Sequence, residues 1–189
     1  MPNPLTPEHW IEAATQLLVD GGAEHVRVDV IARQLGVTRG SFYWHFKDRD
    51  ELLQRMLQAW RELATVQVNQ RFSDASADPR ELIHKLLSLP FRGRAALRAA
   101  RVELAIRDWA RRDPMARHAV DEADAMRVSY IAQCFSALGF SIPDARQRAQ
   151  LLYAYELGES LMAHQGSAEL KAQRSALMER LLLSEPTVD

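Results

Sequence analysis

Gly36 divides the sixteen residues from Ala32 to Lys47 into two short helical halves, and this hinge constrains the fold more than any other feature of the chain. Before it, Val28, Ile31, Ala32 and Leu35 share one helical face. After it, Thr38 stands where a cap belongs and opens a third helix expected to reach Trp44. A glycine that takes positive φ ends the first half, and the small Ala32 lets the two halves approach closely. Two short helices joined this way, the second rich in groups that reach phosphates and base edges, make a helix-turn-helix.

The rest of the chain is punctuated as helices. Thr6 caps and Pro7 starts a first helix that Gly21-Gly22 ends, with Trp10, Ala13, Ala14, Leu17 and Leu18 recurring at three and four. Asp48, with Glu51 three residues on, caps a fourth helix that meets no breaker before Ser73-Asp74-Ala75-Ser76, so it is expected to run about 25 residues, on the order of 37 Å. Its apolar set, Leu52, Leu53, Met56, Leu57, Trp60, Leu63, Ala64 and Val66, is wider than one stripe, as for a rod that packs on one core first and on a second later. Asp78-Pro79 opens a short helix, another runs from about Arg94 to Arg112, and Asp113-Pro114 opens a long one that closes at Gly139. Pro143 and Ser167 open the last two. No stretch alternates with period two for long enough to make a strand. The expected fold is all-α, with a three-helix helix-turn-helix domain over residues 1–50 joined by the long fourth helix to a helical domain over residues 51–189.

Composition narrows the function. Hydrophobic residues make up 47% of 189, with eight Gly and eight Pro, as in a compact helical protein. No apolar run approaches bilayer length and Met1-Pro2-Asn3-Pro4 lacks the blocks of a signal peptide, so a cytoplasmic protein with no membrane partner is expected. The single cysteine, Cys134, excludes an internal disulfide and reads as a small buried apolar residue. His84, His118 and His164 each stand alone, and no H-E-x-x-H, Gly-x-Ser-x-Gly or phosphate-cradling glycine loop occurs. No catalytic site, metal or cofactor is expected. The net charge of −1 says nothing for DNA, but Arg33, Arg39, Lys47 and Arg49 face only Asp48 across the motif. With so few cations per chain, tight binding calls for two copies on one duplex.

Within the motif, Arg39 suits direct readout, because a guanidinium donates two parallel bonds to guanine O6 and N7. Gly40 has no side chain to hold the backbone off the groove. Thr38, Ser41, Tyr43, His45 and Lys47 suit phosphate oxygens, which fix register without reading sequence. Trp44 suits sugar, a thymine methyl or phosphate equally, and Arg33 either approaches the DNA backbone or stays solvated. Phe42 and Phe46, four apart, point into the core. Seven arginines between Arg92 and Arg112 against Glu103 and Asp108 read as a solvated face, an acidic-ligand site or a further DNA contact.

Ile31-Ala32, Gly36-Val37-Thr38, the run Gly40-Ser41-Phe42-Tyr43-Trp44-His45-Phe46-Lys47, and Asp48, Glu51, Leu52 and Leu53 together closely resemble the DNA-binding domain of the TetR/AcrR family of bacterial transcriptional regulators. Two departures stand out: Arg27-Val28-Asp29 replaces the threonine that often caps the family's second helix, and Arg49 replaces a lysine. The resemblance implies a homodimeric repressor of operator DNA, released when a small, largely hydrophobic molecule enters the C-terminal domain. A DNA-binding regulator or activator without an effector is the alternative. On this analogy Trp60, Phe91, Trp109, Met126, Tyr130, Cys134 and Phe135, with Tyr153 and Glu156 as polar points, are candidates to line a ligand pocket. For the dimer, Leu151, Leu152, Tyr155, Gly158, Leu161, Met162, Leu177 and Leu181 on the closing helices are candidates for a four-helix bundle across a two-fold axis, or for ordinary core.

Overall fold

The computed structural model describes residues 5–66, 78–88, 93–162 and 165–184. Among them there are helices and connecting turns and no strand. The order is α1 (Pro7–Gly21), α2 (Val28–Gln34), a 3₁₀ segment (Arg39–Trp44), α3 (Arg49–Arg61), α4 (Pro79–Ser88), α5 (Gly93–Ala110), α6 (Pro114–Ala137), α7 (Ile142–Leu161) and α8 (Ala168–Leu183).

Helix ends follow side-chain chemistry that lies within a few residues. Asp48 accepts from the Glu51 amide at 2.9 Å, satisfying one orphan donor of the first turn, while the Glu51 carboxylate takes the Lys47 amide just before the cap at 2.7 Å. Asp113 accepts from the Met115 and Ala116 amides, and Ser141 and Ser167 cap α7 and α8. Thr6 caps α1 with His9, not an acidic residue, as its reciprocal partner. The hinge after α2 is a Schellman turn: the Gly36 amide bonds the Arg33 carbonyl, the Val37 amide bonds the Ala32 carbonyl, and Gly36 takes φ of 70°. An added Cβ there would meet nothing, so the demand for glycine is purely conformational. Gly139 closes α6 in the same way, with Phe140 edge-on against Phe135 at 5.9 Å supplying the apolar clasp.

Two expectations change. The segment after the hinge is 3₁₀ through most of its length, and Thr38, although extended and in the capping position, makes no side-chain cap. The fourth helix is regular only to Arg61 and then widens into a π turn at Glu62–Val66, where the buried Thr65 hydroxyl bonds back to the Arg61 carbonyl at 2.5 Å. Its expected continuation to Ser73 lies outside the described residues.

The chain forms two compact units. The first comprises Met1–Val66 and Arg101–Ala123, the second Gln67–Ala100 and Asp124–Asp189. In the first, Trp10, Leu18, Ile31, Phe42, Phe46 and the whole buried face of α3 from Leu52 to Trp60 share one core with Ile106, Trp109, Ala116 and Val120. The α3 residues through Trp60 thus all serve this core, and Arg61 adds an ion pair to Glu122 on α6. In the second unit, Ile83, Leu86 and Leu87 of α4 pack with Ile131, Cys134 and Phe135 of α6, Ala145, Ala149, Leu152 and Tyr153 of α7, and Leu182 of α8.

Candidate nucleic-acid interface

The 3₁₀ segment is held from beneath by aromatic rings. Phe42, fully buried, stands edge-on to Trp10 of α1 at 5.4 Å and stacks on Phe46 at 5.3 Å with an interplanar angle of 22°. His45 is half-buried, its ring 6.5 Å from Trp10. What remains faces water: Thr38, Arg39, Gly40, Tyr43, Trp44 and Lys47 are exposed, Ser41 is half-buried, and Trp44 keeps 88% of its surface accessible. An indole left in water is costly to a protein that has no use for it, since burial of such a ring removes about 150 Å² or more of surface. The nine residues singled out from Arg33 to Lys47 thus lie on α2, on the 3₁₀ segment or directly beside it, and Phe42 and Phe46 are that segment's anchors.

The charge of this surface is smaller than the sequence count suggests. Arg49 turns inward, donating from Nε to the Val26 carbonyl at 2.7 Å and from Nη2 to the Ala23 carbonyl at 2.6 Å, so it fastens the α1–α2 connection to the start of α3. Arg27 is forked onto Asp29, and Arg55 pairs with Glu51 over the Phe46 ring. Arg33 and Lys47 are exposed and make no ion pair among the described residues. Arg39 donates from Nη2 to the Tyr43 hydroxyl at 3.3 Å. The available cations are thus Arg33, Arg39 and Lys47. Neither the Arg49 clamp nor the Trp10 anchor is legible from local spacing, because their partners lie more than twenty residues away in the chain.

The residues considered for a ligand do not gather in one core. Trp60 and Trp109 are buried in the first unit. Cys134, Phe135 and Tyr153 are buried in the second, Tyr130 packs against that core, Glu156 is half-buried, and Met126 is exposed. Phe91 lies outside the described residues. Burial pushes the Cys134 thiol upward. The Tyr153 hydroxyl donates to Asp124 at 2.6 Å and accepts from Arg127 at 2.8 Å. Asp124 and Tyr153 stand in the wall of a groove of about 770 Å³ that runs between α6 and α7, past Val128, Gln133, Arg146 and Gln150. Apart from Tyr153, none of the residues considered from the sequence lines it.

Of the residues considered for a dimer, Leu151, Leu161, Met162, Leu177 and Leu181 are exposed, whereas Leu152 is fully buried within the protomer and has no surface to offer a second copy. Tyr155 and Gly158 are half-buried; burial first, and Glu159 second, push the Tyr155 phenol upward. The arginine-rich stretch is partly compensated within itself: Arg107 pairs with the buried Glu103 at 2.7 Å and Arg112 with Asp108 at 2.8 Å. His84 and His118 each lie against one carboxylate, of Glu179 and Glu122, and His164 lies outside the described residues. Among the described residues no cluster suited to a metal ion occurs, and no helix is long and apolar enough to cross a membrane.

Residues 11–56, which contain the whole motif, match the family model of the bacterial regulatory proteins of the tetR family. Over 186 residues the chain is 28% identical to the HTH-type transcriptional regulator TtgR of Pseudomonas putida, across 95% of this chain and 81% of that one. A transcriptional regulator from Rhodococcus sp. Rha1 has a similar solved structure, with TM-score 0.75 at 22% identity over 95% of this chain and 96% of that one. The regulator FadR from Bacillus subtilis, solved in complex with stearoyl-CoA, matches with TM-score 0.68 at 21% identity over 94% of this chain and 97% of that one. At these identities the two structural likenesses concern the fold.

Proposed function

We propose, from the premise that this chain belongs to the tetR family of bacterial regulatory proteins, that it is a homodimeric repressor whose helix-turn-helix lets go of its operator when a small, largely hydrophobic molecule enters the second unit. Gly40 carries the DNA half of this reading. Its φ lies outside the left-handed range, and an added Cβ would meet only the Thr38 hydroxyl at an ordinary 3.7 Å. The fold therefore makes no demand for glycine there, yet glycine in a helical turn costs roughly 0.5–1 kcal/mol relative to alanine. The compensation lies outside the protomer: a bare backbone lets Arg39 approach base edges while Thr38, Ser41, Tyr43, His45 and Lys47 hold phosphates. Trp44 completes the contact, and Arg33 flanks it.

The exposed leucines of α7 and α8 support the dimer. Leu151 and Leu161 with Leu177 and Leu181, paired with their copies about a two-fold axis, would build a four-helix bundle. The full chain should then sediment at twice its 21.5 kDa mass, and a monomer at micromolar concentration would refute the pairing. For the effector, the α6–α7 groove offers Val128, Ala132, Ile142 and Leu157 beside the amides of Gln133, Gln147 and Gln150, walls that suit an apolar body with a polar end. FadR of Bacillus subtilis, crystallised with stearoyl-CoA, supports the reading that a chain of this fold accommodates such a molecule. Its binding would shift the population between DNA-competent and incompetent forms.

The test is Gly40→Ala. Melting should stay unchanged or rise, by up to about 1 kcal/mol in stability, while affinity for duplex DNA falls at least tenfold. Unaltered DNA affinity in the folded variant would show that the segment does not approach a groove closely.

A further inference from the structure

The bond between Arg39 Nη2 and the Tyr43 hydroxyl joins two side chains with different expected tasks, one reading bases and the other holding phosphate. We propose that Tyr43 is a positioning residue for Arg39, so that the phenol sets base preference through the guanidinium besides touching the DNA backbone; this rests on the DNA-reading role of Arg39 proposed above.

Three observations carry it. The Tyr43 ring is fixed at its inner edge, standing edge-on to the buried Phe42 at 5.2 Å and 82°, and Phe42 is itself locked between Trp10 and Phe46. The hydroxyl at the outer end of that ring is an acceptor within reach of Arg39. Arg39 is exposed and, among the described residues, has this hydroxyl as its side-chain hydrogen-bond partner and no carboxylate to compete for it. An untethered arginine spreads over many rotamers that must be frozen on binding, and a tether made before binding removes part of that entropic cost. The stoichiometry of donors also permits it. A guanidinium has five N–H groups, of which the tether takes one, leaving enough for a forked bond to guanine. The phenol accepts from Arg39 and keeps its own proton to donate, so a phosphate oxygen can be bound at the same time. Base reading and backbone anchoring are thereby coupled in one pair of side chains.

The experiment selects the preferred duplex of the full-length wild-type protein from a randomised pool. Affinity is then measured for that duplex and for each single-base substitution, at two salt concentrations, with wild type, Arg39→Ala, Tyr43→Phe and the double variant. Arg39→Ala should erase discrimination at one base position. Tyr43→Phe should lower discrimination at that same position by about fivefold, the size expected for one lost hydrogen bond, and in the Arg39→Ala background should lower discrimination no further while still weakening all duplexes alike through the lost phosphate contact. If Tyr43→Phe weakens every duplex by the same factor and leaves discrimination intact, the positioning role is wrong and the phenol serves phosphate alone. If Arg39→Ala relaxes no position, the reading role of Arg39 fails instead, and the two failures are told apart by which single variant is silent.

Discussion

Arg174→Ala should destabilise the protein measurably, because it strips the one cation from a buried carboxylate. The Glu159 side chain on α7 is 2% exposed, and both its oxygens are taken by Arg174 of α8, from Nε at 2.6 Å and from Nη2 at 2.8 Å. The Glu159 carboxylate in turn holds the Arg174 guanidinium above its ordinary range. Removing the guanidinium strands a carboxylate where water reaches it poorly. Because the Arg174 side chain is 38% exposed, some water enters the gap and softens the loss. Glu159→Gln in the same chain removes the stranded charge and should recover a sizeable share of the loss. Urea unfolding at one fixed protein concentration measures both, since any self-association makes stability depend on concentration. A single variant with the urea midpoint of wild type would mean that the pair is a surface contact in effect.

Trp10→Ala should cost about 3 kcal/mol in the first unit, and should weaken DNA binding with it. Trp10 is fully buried, and its ring is the wall against which Phe42 stands. Deleting a large buried ring costs about 3–5 kcal/mol through lost transfer and the cavity left behind. Part of that is offset, because the Trp10 Nε1–H is buried with no hydrogen-bond partner, and an unsatisfied donor is itself a burden of roughly 1–3 kcal/mol. Trp10→Phe keeps a ring and deletes the donor, so it should lose far less than alanine. Equal losses for the two would show that the indole N–H makes a bond that the packing does not reveal.

The sequence is most legible where the chemistry is local. Pro7 after Thr6, the Gly36 hinge, Asp48 with Glu51, Asp113 before Pro114 and Ser167 each act within three or four residues, and each marks a real helix boundary. The inward turn of Phe42 and Phe46 is legible for the same reason. What escapes depends on partners distant in sequence. Periodicity says that Trp60 and Trp109 are buried but not in which core, and so a pocket that combines them with Tyr153 draws on residues from two separate units. Leu152 lies one residue from the exposed Leu151 on an α-helix, and composition alone does not say which of the two faces outward. The π turn after Arg61 has no side-chain marker. Arg49 counts as a surface cation in any charge sum, yet two backbone carbonyls of the α1–α2 connection claim it.

The first core draws on two stretches separated by more than thirty residues, Met1–Val66 and Arg101–Ala123. A nascent chain therefore cannot complete its helix-turn-helix unit when residue 66 leaves the ribosome; Ile106, Trp109 and Val120 have yet to be made. Anyone grafting this helix-turn-helix onto another protein would have to carry that late hairpin along with the amino-terminal segment, or build a substitute for it.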